Sequence, residues 1–116
     1  MIRKIDSFRT EIRDNMRGGD GSVKIEHFWE PGKEMLSSNR MAAKLTLAPG
    51  SSIGFHNHDK EDEIFIIVKG TAEVDDNGEV SILNAGDTLL TGNGAGHAVR
   101  NIGKCDLEII AIISTY

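Results

Sequence analysis

The chain has 116 residues, enough for one domain with a substantial core, and is 39% hydrophobic with 13 glycines. Its formal net charge is −5 and no run of Lys or Arg forms a basic stripe, which argues against duplex nucleic acid or an anionic membrane as partner. Cys105 is the single cysteine, so no internal disulfide forms, and no segment approaches the ~20 apolar residues of a membrane span.

The start, MIRKIDSFRTEIRDNM, is charged throughout and has no apolar run resembling a signal peptide. The expectation is a small soluble protein of the reducing cytoplasm. Within this stretch Ile2, Ile5, Phe8, Ile12 and Met16 recur at spacings of three and four, the pattern of an amphipathic helix. Arg17-Gly18-Gly19-Asp20-Gly21 would stop it. The rival is an extended arm, with Ile2 to Ile5 pairing at a sheet edge. Residues 1–21 are therefore set apart as a helix or arm, and residues 22–116 form the main domain.

From Gly21 onward the sequence reads as short strands divided by turns. Val23 to Trp29 alternates and ends at Pro31-Gly32. Arg40 to Leu47 is followed by Pro49-Gly50, and Ile64 to Val68 is a β-branched run closed by Gly70. Thr71 to Val74 and Glu79 to Leu83 flank Asp75-Asp76-Asn77-Gly78, whose Asn-Gly pair signals a hairpin. Thr88 to Thr91, Ala98 to Asn101 and Leu107 to Ile113 complete the set. Turn signals every ~8–12 residues fit an all-β sandwich or barrel. Ile64 to Val68 and Leu107 to Ile113 are apolar on both faces, so the outer face needs cover as well. A second copy of the chain, giving a homodimer, is the expected cover, with the N-terminal arm taking a share.

One stretch carries chemistry. Residues 50–63 read GSSIGFHNHDKEDE. Residues i and i+2 of a strand point the same way, so His56 and His58 project together, away from Asn57. Asp59 to Asp62 reads as a polar turn, with Glu61 and Asp62 solvated. Glu63 opens the next strand and shares its face with Phe65 and Ile67. Two neutral imidazoles and a carboxylate converging from adjacent strands make a three-ligand face for a divalent cation. His27, between Glu26 and Phe28, is read as a satisfied or exposed imidazole without a role at the site.

From Gly50 to Gly70 the spacing is G-x5-H-x-H-x4-E-x6-G. Gly86 to Asn101, GDTLLTGNGAGHAVRN, reads G-x5-G-x-G-x2-H-x3-N. Together these resemble the two signature motifs of the cupin superfamily, over roughly residues 40–113. The short stretch between the motifs is similar to that of microbial single-domain members of the cupin_2 type. Gly92 stands where the family usually has Pro, a departure expected to loosen the turn before His97. The resemblance implies a double-stranded β-helix, or jelly-roll barrel, with metal ligands at His56, His58, Glu63 and His97. His97 enters only through the resemblance, and Asn101 takes a turn-end role in the same way.

Three nitrogens and one oxygen leave two positions open on a six-coordinate ion. The donor set suits one divalent transition metal per chain: Mn, Fe, Co, Ni or Zn. A small-molecule ligand with two oxygens, such as a dicarboxylate, α-hydroxy acid or enediol, would chelate it. The leading expectation is a metal-dependent enzyme resembling the dioxygenase or oxalate-decarboxylase branches of the superfamily. The alternative is a non-catalytic metal- or ligand-binding module. Phe55 or Phe65, Met41 or Arg40, and Lys44 are the candidates to line the pocket. Apolar filling favours Met41 and Leu45 inside over Arg40 and Lys44. Glu61 is a remote candidate for general acid or base.

Overall fold

The computed structural model describes residues 1–116 and contains ten strands: β1 (Arg9–Asp14), β2 (Ser22–His27), β3 (Asn39–Leu47), β4 (Ser52–Asn57), β5 (Glu61–Lys69), β6 (Thr71–Asp76), β7 (Glu79–Asn84), β8 (Thr88–Thr91), β9 (Gly96–Asn101) and β10 (Leu107–Thr115). Short 3₁₀ turns at Ile5–Ser7 and Met16–Gly18 are its only helical pieces. A six-stranded sheet in the order β1-β2-β3-β10-β5-β8 and a four-stranded sheet in the order β4-β9-β6-β7 enclose one core. All ladders are antiparallel. This is the jelly-roll barrel anticipated above. No helix is long and apolar enough to cross a membrane.

Alternation builds the core. Val23 and Ile25 of β2, Ala43, Leu45 and Leu47 of β3, Phe65 and Ile67 of β5, and Leu107, Ile109 and Ala111 of β10 are all buried. Aliphatic residues dominate, as scarce aromatics require; Phe65 is the one aromatic ring in the cluster. Burying it and its Ile and Leu neighbours stabilises by roughly 1.5–3 kcal/mol per side chain. Asn77 and Gly78, both at positive φ, close the β6–β7 hairpin, with Asp76 opposite Glu79.

The N-terminal helix is not formed. Residues 9–14 instead extend as β1 and pair with β2, from Arg9 opposite His27 to Asp14 opposite Ser22. The arm reading is the correct one, but its pairing segment lies beyond Ile2 to Ile5, both of which are exposed. The apolar residues do not supply one buried stripe: Ile2, Ile5 and Ile12 face solvent, and Met16 alone packs against the core. Strand pairing and ion pairs hold the arm. Arg3 binds Glu34 at 2.6 Å and Arg9 binds Glu30.

Candidate metal centre

His56 lies on β4, His58 one residue past its end, Glu63 on β5 and His97 on β9. β4 and β9 belong to one sheet and β5 to the other, so the four residues meet across the barrel at one end. His56 and His97 are direct partners in the β4–β9 ladder. Their ligand atoms all lie within 4.8 Å of one another. His97 Nε2 is 3.2 Å from both His56 Nε2 and His58 Nε2, and Glu63 Oε1 is 3.0 Å from His97 Nε2 and 3.1 Å from His58 Nε2. The face of three ligands read from β4 and β5, and the fourth supplied by the resemblance, are one cluster. His58, Glu63 and His97 are buried, and His56 opens partly toward the mouth.

The far nitrogens show how these atoms could hold a cation. His56 Nδ1 donates to the Gly54 carbonyl at 2.8 Å, and His58 Nδ1 donates to Glu61 Oε2 at 2.6 Å. Both acceptors lack a proton to give, so the ring proton sits on Nδ1 and the Nε2 lone pair faces the centre. His97 Nδ1 pairs with the Thr91 hydroxyl at 2.8 Å. Lone pairs and a carboxylate oxygen aimed at one point repel one another in the absence of a cation. The donor set therefore fits a divalent transition metal, and outer partners of this kind fix imidazole ligands in register.

Phe65 stacks on the His97 ring at 4.7 Å and 21°, walling the site on its core side. Burial pushes the His56 pKa below the ordinary imidazole range; the Gly54 hydrogen bond opposes this only in part. The Arg40 guanidinium, and after it His58, hold the Glu61 carboxyl down at about 2.

Glu61 corrects the sequence reading. The turn is only Asp59-Lys60, with Lys60 at positive φ, and β5 begins at Glu61, two residues earlier than drawn. Glu61 therefore shares the inward parity of Glu63. It bridges His58 to Arg40, whose Nη2 is 2.8 Å away. It is a positioning group for a ligand, neither a solvated turn charge nor a free acid. Asp62 fills the space where a side chain at position 92 would stand. A Pro there would meet its carboxylate, so Gly92 gives room to Asp62.

A cavity of about 90 Å³ leads to the cluster. Met41, Leu45 and Phe65 line it, as apolar filling favoured, and Arg40 lines it as well. Phe55 is excluded: it is half exposed and packs over Gly96. Lys44 points to the outer face, 3.2 Å from Glu108 and 3.5 Å from Glu26. Three further lining residues had no signal in the sequence: Arg13 and Arg17 come with the docked arm, and His27 stands at the end of β2. His27 is satisfied as expected, with Nε2 2.9 Å from Glu11 Oε1. Asn101 is buried and structural: it donates to the Leu47 and Cys105 carbonyls.

The cupin domain family model matches residues 43–113. The oxalate-binding protein of Thermotoga maritima is 37% identical over 113 residues, which span 97% of this chain and 93% of that protein. The crystal structure of a predicted oxalate decarboxylase from Thermotoga maritima superposes with a TM-score of 0.94 at 36% identity, covering 100% of both chains. Mannose-1-phosphate guanylyltransferase ManC of Salmonella typhimurium is 34% identical over 71 residues, 61% of this chain and only 15% of that protein. The chain belongs to the cupin family.

Proposed function

We propose that this cupin is a metal-dependent enzyme acting on a small oxygenated anion, with oxalate or a similar dicarboxylate as the substrate class, held at His56, His58, Glu63 and His97. The single observation behind the reading is the convergence of three Nε2 atoms and Glu63 Oε1, with the outer nitrogens tied back, at the end of a small cavity. A divalent ion bound there would supply a Lewis acid with positions free to chelate two ligand oxygens. The cavity, at about 90 Å³, has room for a small ligand the size of roughly three waters. Arg13, Arg17 and Arg40 line it, and Arg17, which has no carboxylate partner in the chain, favours an anion over a cation. The resemblance to an oxalate-binding protein over nearly the full length of both chains supports the same class.

The likeness to an oxalate-binding protein also favours a second reading, a protein that binds such an anion without turning it over. Elemental analysis of the purified protein, then calorimetry of oxalate against the metal-loaded form, tests what the two share. Near-stoichiometric metal and saturable oxalate binding are expected in the wild type, and neither in His58→Ala. Consumption of oxalate over hours, followed by chromatography, separates enzyme from binder.

The assembly we propose is a homodimer in the cytoplasm. Ile64, Ile66 and Val68 of β5, Leu90 of β8, and Ile110 and Ile112 of β10 line the outer face, and Ile64, Val68 and Leu90 are exposed at 39%, 46% and 65%. Apolar residues so contiguous on a monomer mark an interface, and a twofold pair is the commonest way to bury them. Light scattering at micromolar concentration should give twice the chain mass, and Ile66→Glu should halve it.

A further inference from the structure

We propose that Arg17 is the anion anchor of the cavity: it takes the carboxylate of a dianionic ligand whose other end reaches the metal-ligand cluster. The inference rests on the metal-dependent reading above and adds the residue that selects the charge of the ligand. Of the six arginines, Arg3, Arg9, Arg13, Arg40 and Arg100 each hold a carboxylate of the chain. Arg17 holds none, and it lines the same cavity as His56, His58 and Glu63. A guanidinium free of an internal partner is the group that a carboxylate can claim in two parallel hydrogen bonds.

The backbone places it deliberately. Arg17 sits at φ 54 and ψ 29 and Asn15 at φ 50, a left-handed conformation that disfavours a residue as large as arginine. Glycine would adopt it without strain, and Gly18 and Gly19 follow immediately. The turn is nonetheless fixed. Gly18 N–H donates to the Asn15 carbonyl and Gly19 N–H to the Met16 carbonyl, both at 2.9 Å, and Asn15 Nδ2 donates to the Gly19 carbonyl at 3.1 Å. It lies directly on the strand that carries His56. A Cβ at Gly54 would collide with the Arg17 carbonyl, and one at Gly19 with the Ser52 carbonyl. Two glycines, one from each segment, thus let the backbones touch and put Arg17 at the mouth. The charges also balance. A divalent ion less the Glu63 carboxylate leaves one positive charge, Arg40 is cancelled by Glu61 and Arg13 by Glu11, and Arg17 brings the second, matching a dianion.

Arg17→Gly separates the roles, because it removes the charge and relieves the backbone. Manganese content and melting temperature are measured for wild type, Arg17→Gly and Arg17→Lys. Binding of oxalate and acetate to each manganese-loaded protein is then measured by calorimetry. We expect unchanged manganese content in all three, a melting temperature for Arg17→Gly equal to or above wild type, and oxalate binding at least tenfold weaker in Arg17→Gly. Arg17→Lys should fall between. Acetate, with one carboxylate, should bind the three proteins alike, and added salt should weaken oxalate binding more in wild type than in Arg17→Gly. Equal oxalate affinity in wild type and Arg17→Gly overturns the anchor and leaves the metal-dependent reading standing. No oxalate binding by fully loaded wild type overturns that reading and the anchor with it.

Discussion

Glu61 Oε2 lies 2.6 Å from His58 Nδ1, so the carboxylate two residues before Glu63 on β5 orients the imidazole on the other side of the turn. Replacing an outer partner of a ligating imidazole costs ~10–100-fold in metal affinity. Glu61→Gln should therefore weaken metal binding by about tenfold in a chelator competition assay, while Glu63→Gln should reduce it far more. Asp62→Asn, which touches neither imidazole, should stay near wild type. Glu61→Gln indistinguishable from Asp62→Asn would show that the hydrogen bond does not tune the site.

Metal should stabilise the fold without being required for it. The aliphatic core is independent of the cluster, so chelated protein remains folded but melts lower. At a free metal concentration one hundred times its dissociation constant, mass action adds ~2.7 kcal/mol, a rise of roughly 10 °C or more for a domain of this size. His58→Ala and His97→Ala should show no metal-dependent rise in thermal melts with and without chelator.

Acid should loosen the arm before the barrel. Arg3 holds the Glu34 carboxyl down at about 2, Arg9 lowers that of Glu30, and His27 lowers that of Glu11. Carboxyls with depressed native pKa values contribute stability present in full above their unfolded value, ~4.3 for Glu, and lost as pH falls through the native values. Hydrogen exchange from pH 5 to pH 2, corrected for intrinsic rates, should show β1 amides losing protection while β3 and β10 retain theirs. Uniform loss across all three strands would contradict a separately held arm.

Two glycines of similar crowding should respond differently to a methyl group. At Gly54 the obstacle is the Arg17 backbone carbonyl, which cannot move without lifting the arm; at Gly92 it begins with the Asp62 side chain, which can rotate. Overpacking costs ~1–3 kcal/mol where neighbours cannot yield. Gly54→Ala should fall in that range by denaturant titration and Gly92→Ala below it. The reverse order would mean that the arm is soft and the loop before His97 is rigid.

Much of the site was legible in local spacing. His-x-His on one strand face and Glu63 in phase with Phe65 and Ile67 are consequences of a period of two, and they hold wherever the strand is placed. Alternation likewise fixed the inward set Met41, Ala43, Leu45 and Leu47. It failed where an element's end had to be located. The polar run Asp59 to Asp62 looks the same as four turn residues or as two turn residues and a strand start, and pairing with β10, Glu61 opposite Thr115, decides it. The arm failed for a related reason. Ile2, Ile5, Phe8, Ile12 and Met16 fit a helical period, yet a helix is stable only if its stripe finds a surface to bury, and the open edge of β2 offered hydrogen bonds instead.

The sequence by itself determined an all-β barrel, its cupin membership and four side chains with a donor set suited to a metal, because period-two alternation and motif spacing are local properties of the chain. Only the tertiary structure decided what surrounds them. Thr91 behind His97, Glu61 and Arg40 behind His58, and Arg13, Arg17 and His27 at the cavity are brought in by contacts between segments distant in sequence. Such contacts depend on how strands pair and where backbones can touch, and no residue spacing along the chain encodes them.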